Sequence, residues 1–324
     1  MLQLKKEGNQ ALENLRSEGN FPPAWQSTEE LEAKTNNIVS RFLDERFKVS
    51  QKLGGGSLLT ELLDRMLRTS ETECMDNSAL SETKKLEMVH ALDRQNNLMQ
   101  LYPRYVSLLL SLLDDKATPT HILELASGSG GLAMALAEEA QRKHLPIAVT
   151  GSDIVPKFIE EGNRQATQKN LPLNFQLLNA FNLPLFPEGS FDLMVMSQSL
   201  HHFTPGQLAI IIAQSAQQTK TAFVGIDGYR SILLAGGVPL VASLQGIPSF
   251  ALDGLTSARK FYSELELDLI AEIATGKRDH TVTCNWPLTI LTVRFDGKKP
   301  EQQEEQRLIR HHHQGKHSRI PYFP

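Results

Sequence analysis

Cysteine is almost missing from this chain: Cys74 and Cys284 are two of 324 residues. Two thiols cannot build a disulfide framework or a cysteine-rich zinc site, and they fit a reducing compartment. Long apolar runs are missing too. The longest, Tyr105 to Leu113, is bounded by Arg104 and Asp114 and is too short to span a bilayer. The opening stretch MLQLKKEGNQALENL lacks the apolar core of a signal peptide. A cytoplasmic protein without a membrane span is the expectation. A basic excess is also lacking: 33 Lys and Arg stand against 37 Asp and Glu, a net charge of -4. That balance gives no field for a nucleic-acid partner.

The remaining composition, 40% hydrophobic and 22% charged, is that of a globular chain able to bury a core. The patterning changes near residue 118. Before it the periodicity is helical. Ser27 to Glu30 reads as a capping box for a helix through Phe47, and Gly54 to Gly56 break the chain. Ser57 then caps a second helix. A third helical pattern starts near Ser81 and is interrupted by Pro103, giving about four segments in a helical region over 1–117.

After residue 118, short apolar strands alternate with helical patterns. The strands are expected at His121–Leu125, Ile147–Gly151, Asn174–Leu178, Phe191–Met196 and Ala222–Ile226. Helices are expected at Leu132–Lys143, Pro156–Lys169 and Thr204–Gln217, the last with Thr204 as N-cap and Pro205 in its first turn. This alternation implies an α/β fold, a largely parallel sheet with helices on both faces. Ser263 and Glu266 form a capping box for a helix ending at Gly276. HTVTCN and LTILTVRF then flank Trp286-Pro287 too tightly to be anything but antiparallel. An apolar insert over 228–256 interrupts the alternation, and 297–324 forms a polar tail.

The strongest chemical signal is HILELASGSGGLAMALAEEA. A strand ends at Glu124-Leu125, Gly128 and Gly130 make a tight turn, and a helix opens near Gly131. Such a turn lets a ligand approach the backbone at a helix N-terminus, at the carboxyl edge of the sheet. Asp153, closing the second strand, can accept both hydroxyl protons of a ribose. Two cofactors compete. Gly128, Gly130 and Ala133 satisfy a dinucleotide pattern with Asp153 about twenty residues on, which favours NAD(P). Glu124 opposes it, because an anion beside a diphosphate repels it, whereas a sulfonium cation is attracted.

Residues His121 to about Phe295 resemble the class I S-adenosylmethionine-dependent methyltransferases of the small-molecule type, close in motif wording to the quinone-methylating group. ELASGSGG, GSDIVPKFIEEG and LNAFNLPLFPEGSFDLMVMSQSLHHF stand in that family's order. The resemblance implies a Rossmann-like seven-stranded sheet ending in an antiparallel strand, and S-adenosylmethionine as cofactor, leaving as S-adenosylhomocysteine. Glu124, Ala126, Ser127, Gly128 and Gly130 would line its methionine and ribose side. Asp153 would hold the ribose, and Ile154 and Phe181 would sandwich the adenine. Asn179 would accept the adenine amino group, with Ala180 and Ser197 nearby. Ala126 replaces the family's first glycine, and Asn179 replaces its usual acid.

Methyl transfer needs alignment and exclusion of water, and by itself requires no metal. His201 and His202 follow the fourth strand; either acts as a general base, or they cap the strand end or line the pocket. Asp227, Tyr229 and Arg230 either orient substrate or, for the charged two, pair with each other or with Arg259. The apolar insert either roofs the site for a lipophilic acceptor (a polyketide, quinone or isoprenoid-like molecule) or simply packs on the N-terminal helices. Leftover apolar surface would serve a homodimer. His311, His312, His313 and His317 lie in a polar tail that seldom presents fixed ligands, so no metal site is expected there. The expected function is methyl transfer to an O or C atom of a small molecule. The alternatives are an NAD(P)-dependent oxidoreductase and a non-catalytic scaffold of the same fold.

Overall fold

The computed structural model describes residues 2–113, 118–183 and 186–297. The tail histidines from His311 to His317 lie outside the described residues. Five helices come first: α1 (Lys5–Ser17), α2 (Thr28–Leu53), α3 (Gly55–Leu67), α4 (Glu82–Leu98) and α5 (Leu101–Leu112). The alternating part follows: β1 (Thr120–Leu125), α6 (Gly131–Arg142), β2 (Ile147–Asp153), α7 (Pro156–Gln168), β3 (Leu173–Leu177), β4 (Phe191–Ser197), α8 (Pro205–Gln218) and β5 (Thr219–Gly228). After these come α9 (Ile232–Ser243), α10 (Pro248–Lys260), α11 (Glu264–Thr275), β6 (His280–Asn285) and β7 (Leu288–Arg294). The seven strands form one sheet in the order β3-β2-β1-β4-β5-β7-β6. β1 to β5 pair in parallel, and β7 pairs antiparallel with both β5 and β6.

Period-two alternation divides the core in two. Leu123, Leu125, Met194, Met196 and Phe223 face one side, packed with residues of α1, α2, α8 and α11. Ile122, Leu193, Val195, Ala222 and Val224 face the other, under α5 and α6. Glu124 and Ser197 continue that second face to the carboxyl edge, where the apolar core stops and polar chemistry begins. The order reverses between β1 and β4, the switch point at which open α/β sheets leave a crevice.

The boundaries correct several expectations. α2 runs past Phe47 to Leu53, because Val49 and Ser50 extend its buried face. α3 starts at Gly55 with Gly54 as its N-cap, so Ser57 lies inside the first turn and caps nothing. Pro103 does not interrupt a helix; it sits in the first turn of α5, where its missing N–H costs no bond. The break is at Gln100, whose φ is 53°. The apolar insert is two helices despite Gly236, Gly237 and Pro239. Gly254 of α10 lies against α9: a Cβ there would stand 3.2 Å from Val238 Cγ1. Helix α1 carries no signal that the pattern reading used.

Candidate functional site

The carboxyl edges of β1, β2 and β4 open into a cavity of about 600 Å³. Its floor is the turn after β1. Ala126 holds a φ of 50°, in the left-handed region where the related pattern has glycine. Gly130 has φ 88° and caps α6, and its missing Cβ leaves room for Phe175, whose Cζ would be 2.1 Å away. Gly130 therefore serves the turn and stands outside the cavity lining.

The N–H groups of this turn are largely engaged. Ser127 donates to Ser152 O, Gly128 to Asp153 Oδ2 at 2.9 Å, and Gly130 to Ser127 O. Ala133, in the first turn of α6, donates to Glu124 Oε2 at 2.9 Å. Asp93 of α4 completes the picture by accepting from Ser129 Oγ (2.8 Å) and Tyr102. Its Oδ1 would be 2.3 Å from a Cβ at Gly131. The chain thus places two carboxylates of its own at the α6 N-terminus, the position a diphosphate would need.

Burial raises the pKa of Asp93, Glu124 and Asp153. For Glu124, fully enclosed, desolvation outweighs the bonds from Ser197 Oγ and Ala133, and the value rises to about 8. Desolvation also leads for Asp93 and Asp153. In all, seven carboxyl residues line the cavity: Glu73, Asp76, Asp93, Glu124, Asp153, Asp227 and Asp253. Neither Lys nor Arg is among its lining residues. That electrostatic character suits a cation and repels a diphosphate.

At the far end lies a second polar cluster. His201 Nδ1 meets Asp227 at 2.8 Å, and the backbone N–H of His201 donates to the same carboxylate at 3.0 Å. Nδ1 is thereby engaged by Asp227, whereas Nε2 has no hydrogen-bond partner. That Nε2 is 3.5 Å from Glu73 Oε1. His202 Nδ1 meets Asp76 Oδ2 at 2.8 Å, and its Nε2 lies 3.6 Å from Glu73 Oε2. Burial opposes the charged form of His202, but the Asp76 and Glu73 carboxylates prevail and raise its pKa. Glu73 arrives through a 3-10 turn, Cys74–Asp76, whose N–H groups at Cys74 and Met75 are held by the Asp253 carboxylate of α10.

The roof is apolar. Val89 and Leu92 of α4, Leu234, Val238 and Ala242 of α9, and Phe250 of α10 line it. Ala242 and Phe250 also pack on Met88 and Ala91 of α4, so the insert both covers the cavity and rests on an N-terminal helix. Four buried polar atoms without a hydrogen-bond partner belong to lining residues: Ser127 Oγ, Gln95 Oε1, Glu73 Oε1 and His201 Nε2. Unspent polar capacity concentrated in one cavity marks where a ligand belongs.

Of the residues singled out in the sequence, Glu124, Ala126, Ser127, Gly128, Asp153, Ile154, Phe181, Ser197, His201, His202 and Asp227 line this cavity. Asn179 and Ala180 do not. The Asn179 amide oxygen accepts the Phe181 N–H at 3.2 Å, and Asn179 is not among the lining residues. Tyr229 and Arg230 are also outside. Tyr229 stacks edge-on with Trp286. Arg230 is buried, bonded to Asp64 at 2.6 Å and to the carbonyls of Arg259 and Phe261, which leaves it no face for a substrate. Neither of its anticipated partners, Asp227 or the Arg259 side chain, pairs with it. Glu73, Asp76, Asp93, Gln95 and Asn96 went unnoticed, since isolated polar residues on N-terminal segments carry no motif.

Residues 122–222 match the model of a family described as a methyltransferase domain. Over 75 residues the chain is 40% identical to the ubiquinone/menaquinone biosynthesis C-methyltransferase of Rickettsia massiliae, covering 22% of this chain and 30% of that one. Over 92 residues it is 33% identical to the demethylmenaquinone methyltransferase of Thermus thermophilus, covering 28% and 40%. The chain thus spans less than half the length of these relatives. Among solved structures, the plantazolicin methyltransferase in complex with S-adenosylhomocysteine superposes with a TM-score of 0.51 at 14% identity, covering 66% of this chain and 91% of that one.

Proposed function

We propose that this chain, whose residues 122–222 match a methyltransferase domain, is an S-adenosylmethionine-dependent methyltransferase that methylates an O or C atom of a small, largely apolar molecule. The observation that carries this reading is that the N–H groups of Gly128 and Ala133, at the start of α6, are spent on the chain's own Asp153 and Glu124, in a cavity lined by acidic side chains and by neither Lys nor Arg. A nicotinamide dinucleotide would bring its diphosphate to that spot and find those donors taken and no cationic side chain among the lining residues. S-adenosylmethionine has no phosphate and carries two cationic centres, so the residues present fit it.

When bound, that cofactor supplies an electrophilic methyl group on a positively charged sulfur. Asp153, with one oxygen on the Gly128 N–H and the other on the Val155 N–H, keeps lone pairs for ribose hydroxyls. Glu124 and Asp93 provide the negative end. Ile154 and Phe181, both partly exposed at the rim, flank the base. The acceptor occupies the space under α9 and α10, where Leu234, Val238 and Phe250 exclude water. Its acidic proton passes to the His201 Nε2, and Asp227 orients and stabilises the imidazolium. The deprotonated acceptor, held in line by these residues, would receive the methyl group that the bound cofactor supplies. The N-terminal helices contribute a cap through α4 and the turn bearing Glu73. Among the described residues no helix is long and apolar enough to cross a membrane.

Calorimetry with S-adenosylhomocysteine and with NADP tests the reading. Tight binding of the first and none of the second is expected; the reverse overturns it.

A further inference from the structure

We propose that Glu73, His201 and His202 form a binding site for a first-row divalent cation of the zinc type, with its open coordination position facing the acceptor end of the cavity. The three side chains offer one carboxylate oxygen and two imidazole nitrogens, all within 4.8 Å of one another. Their separations are informative. The Nε2 atoms of His201 and His202 stand 3.5 and 3.6 Å from the two oxygens of Glu73. That is long for a hydrogen bond. Each is close to the roughly 3.3–3.4 Å edge of a tetrahedron whose centre lies 2.0–2.1 Å from each nitrogen or oxygen ligand, and, since the two imidazoles meet different oxygens of Glu73, the carboxylate would turn to present one oxygen to both. Glu73 Oε1 and His201 Nε2 are buried and lack a hydrogen-bond partner.

Each of the three is held from behind, as metal ligands are. Asp227 takes the Nδ1 side of His201, Asp76 takes that of His202, and Ser257 Oγ donates to Glu73 Oε2 at 3.0 Å. These partners turn both Nε2 atoms toward Glu73. Two imidazoles and a carboxylate favour zinc and its neighbours over magnesium or calcium, which prefer all-oxygen shells. One group opposes the ion: Lys260 Nζ lies 3.6 Å from Glu73 Oε1 and would have to withdraw.

The chemistry deepens the methyl-transfer reading and rests on it, although cation binding itself does not. An acceptor hydroxyl at the open position would lose its proton to solvent more readily. The resulting oxyanion, or its conjugate carbon, would attack the methyl carbon as the sulfur–carbon bond breaks. His201 Nε2 then holds the cation in place of a proton.

The test is Co²⁺ and Zn²⁺ titration of the full chain in which His311, His312, His313 and His317 are replaced by Ala, which removes the tail as a competing chelator. One equivalent per chain is expected, with the visible absorption of four-coordinate Co²⁺. Glu73→Gln and His202→Ala should abolish that absorption, and Asp227→Asn should weaken binding about 10–100-fold. Lys260→Met should strengthen it, an effect that a purely structural role for the cluster does not produce. Binding of S-adenosylhomocysteine, measured on each variant, should stay intact and shows that each is folded. No stoichiometric binding, or binding that survives Glu73→Gln and His202→Ala, overturns the metal site while leaving the cofactor reading standing. Loss of S-adenosylhomocysteine binding by the parent chain would overturn the methyl-transfer reading alone.

Discussion

Glu124 is the residue whose environment most constrains the chemistry. Its pKa of about 8 means that most chains hold it protonated at neutral pH, because ionising it inside the sheet edge costs more than two hydrogen bonds return. A cationic ligand reverses that balance, so binding should release a proton from Glu124. By linkage, affinity for S-adenosylmethionine should rise with pH, by at most about tenfold per unit, and level off above about 8. Isothermal titration in buffers of different ionisation enthalpy measures this directly. Glu124→Gln should flatten the profile, and a flat profile in the unaltered chain would refute the assignment. Gly130 is the second such position. Its φ of 88° already resists a side chain, and Phe175 fills the space a Cβ would need. Gly130→Ala should therefore destabilise the chain by about 2 kcal/mol or more, read as a lower midpoint in urea.

Between elements, the dominant polar feature is an ion network that joins α2, α3, α11 and Arg230, the second residue after β5. Arg46 binds Glu61 and Asp64, Arg230 binds Asp64, and Arg68 bridges Asp64 to Glu266. Apart from Arg68, these groups are fully or almost fully buried. Burial alone would raise the Glu266 and Asp64 pKa values, but the surrounding guanidinium groups overcome it and hold both carboxyls below their ordinary range. Removing one partner strands charge in the interior. Asp64→Asn should cost about 3–5 kcal/mol in denaturant unfolding. The depressed values also fix the sign with pH. Their stabilisation is full above the unfolded-state pKa values near 4 and is lost as acid protonates the folded carboxyls, so this chain should unfold on acidification below about pH 4. Asp64→Asn should make that acid limb shallower. This network also explains why Arg230, attractive as a substrate ligand beside Asp227 in sequence, serves to lock the helical region to the sheet.

Across the whole molecule, α4 is the element that links the halves. It reaches the glycine turn through Asp93 and Ser129, brings Val89 over Gly128, and supports the roof through Met88 and Ala91. Ligand binding at the turn should therefore be felt in α4. Hydrogen exchange with and without S-adenosylhomocysteine should show slower exchange in 82–98 and 126–133, with β6 and β7 unchanged. Uniform protection would argue against this coupling.

How much of this was legible follows from the range of each signal. The strand–helix alternation, the N-cap at Thr204, the capping box at Ser263 and the turn around Gly128 are written within a few neighbouring residues, and all of them appear in the fold. The helices of the 228–256 insert were not legible. Gly236, Gly237 and Pro239 argue against helix locally, and only packing of α9 on α10 and α4 overrides them. The polar end of the cavity was half legible. His201 and His202 follow a recognisable strand, whereas Asp76 meets His202 from 126 positions away and Glu73 arrives on the same turn.

The sequence by itself determined the sheet, the turn and the acid at each of the first two strand ends, because backbone geometry and hydrophobic period act over short stretches of chain. Only the tertiary structure decided which charges face the cavity and which are spent on the scaffold. Burial and partner choice belong to the folded arrangement: they send Arg230 into an ion network, turn Asn179 onto its own loop, and bring Glu73 to the two histidines.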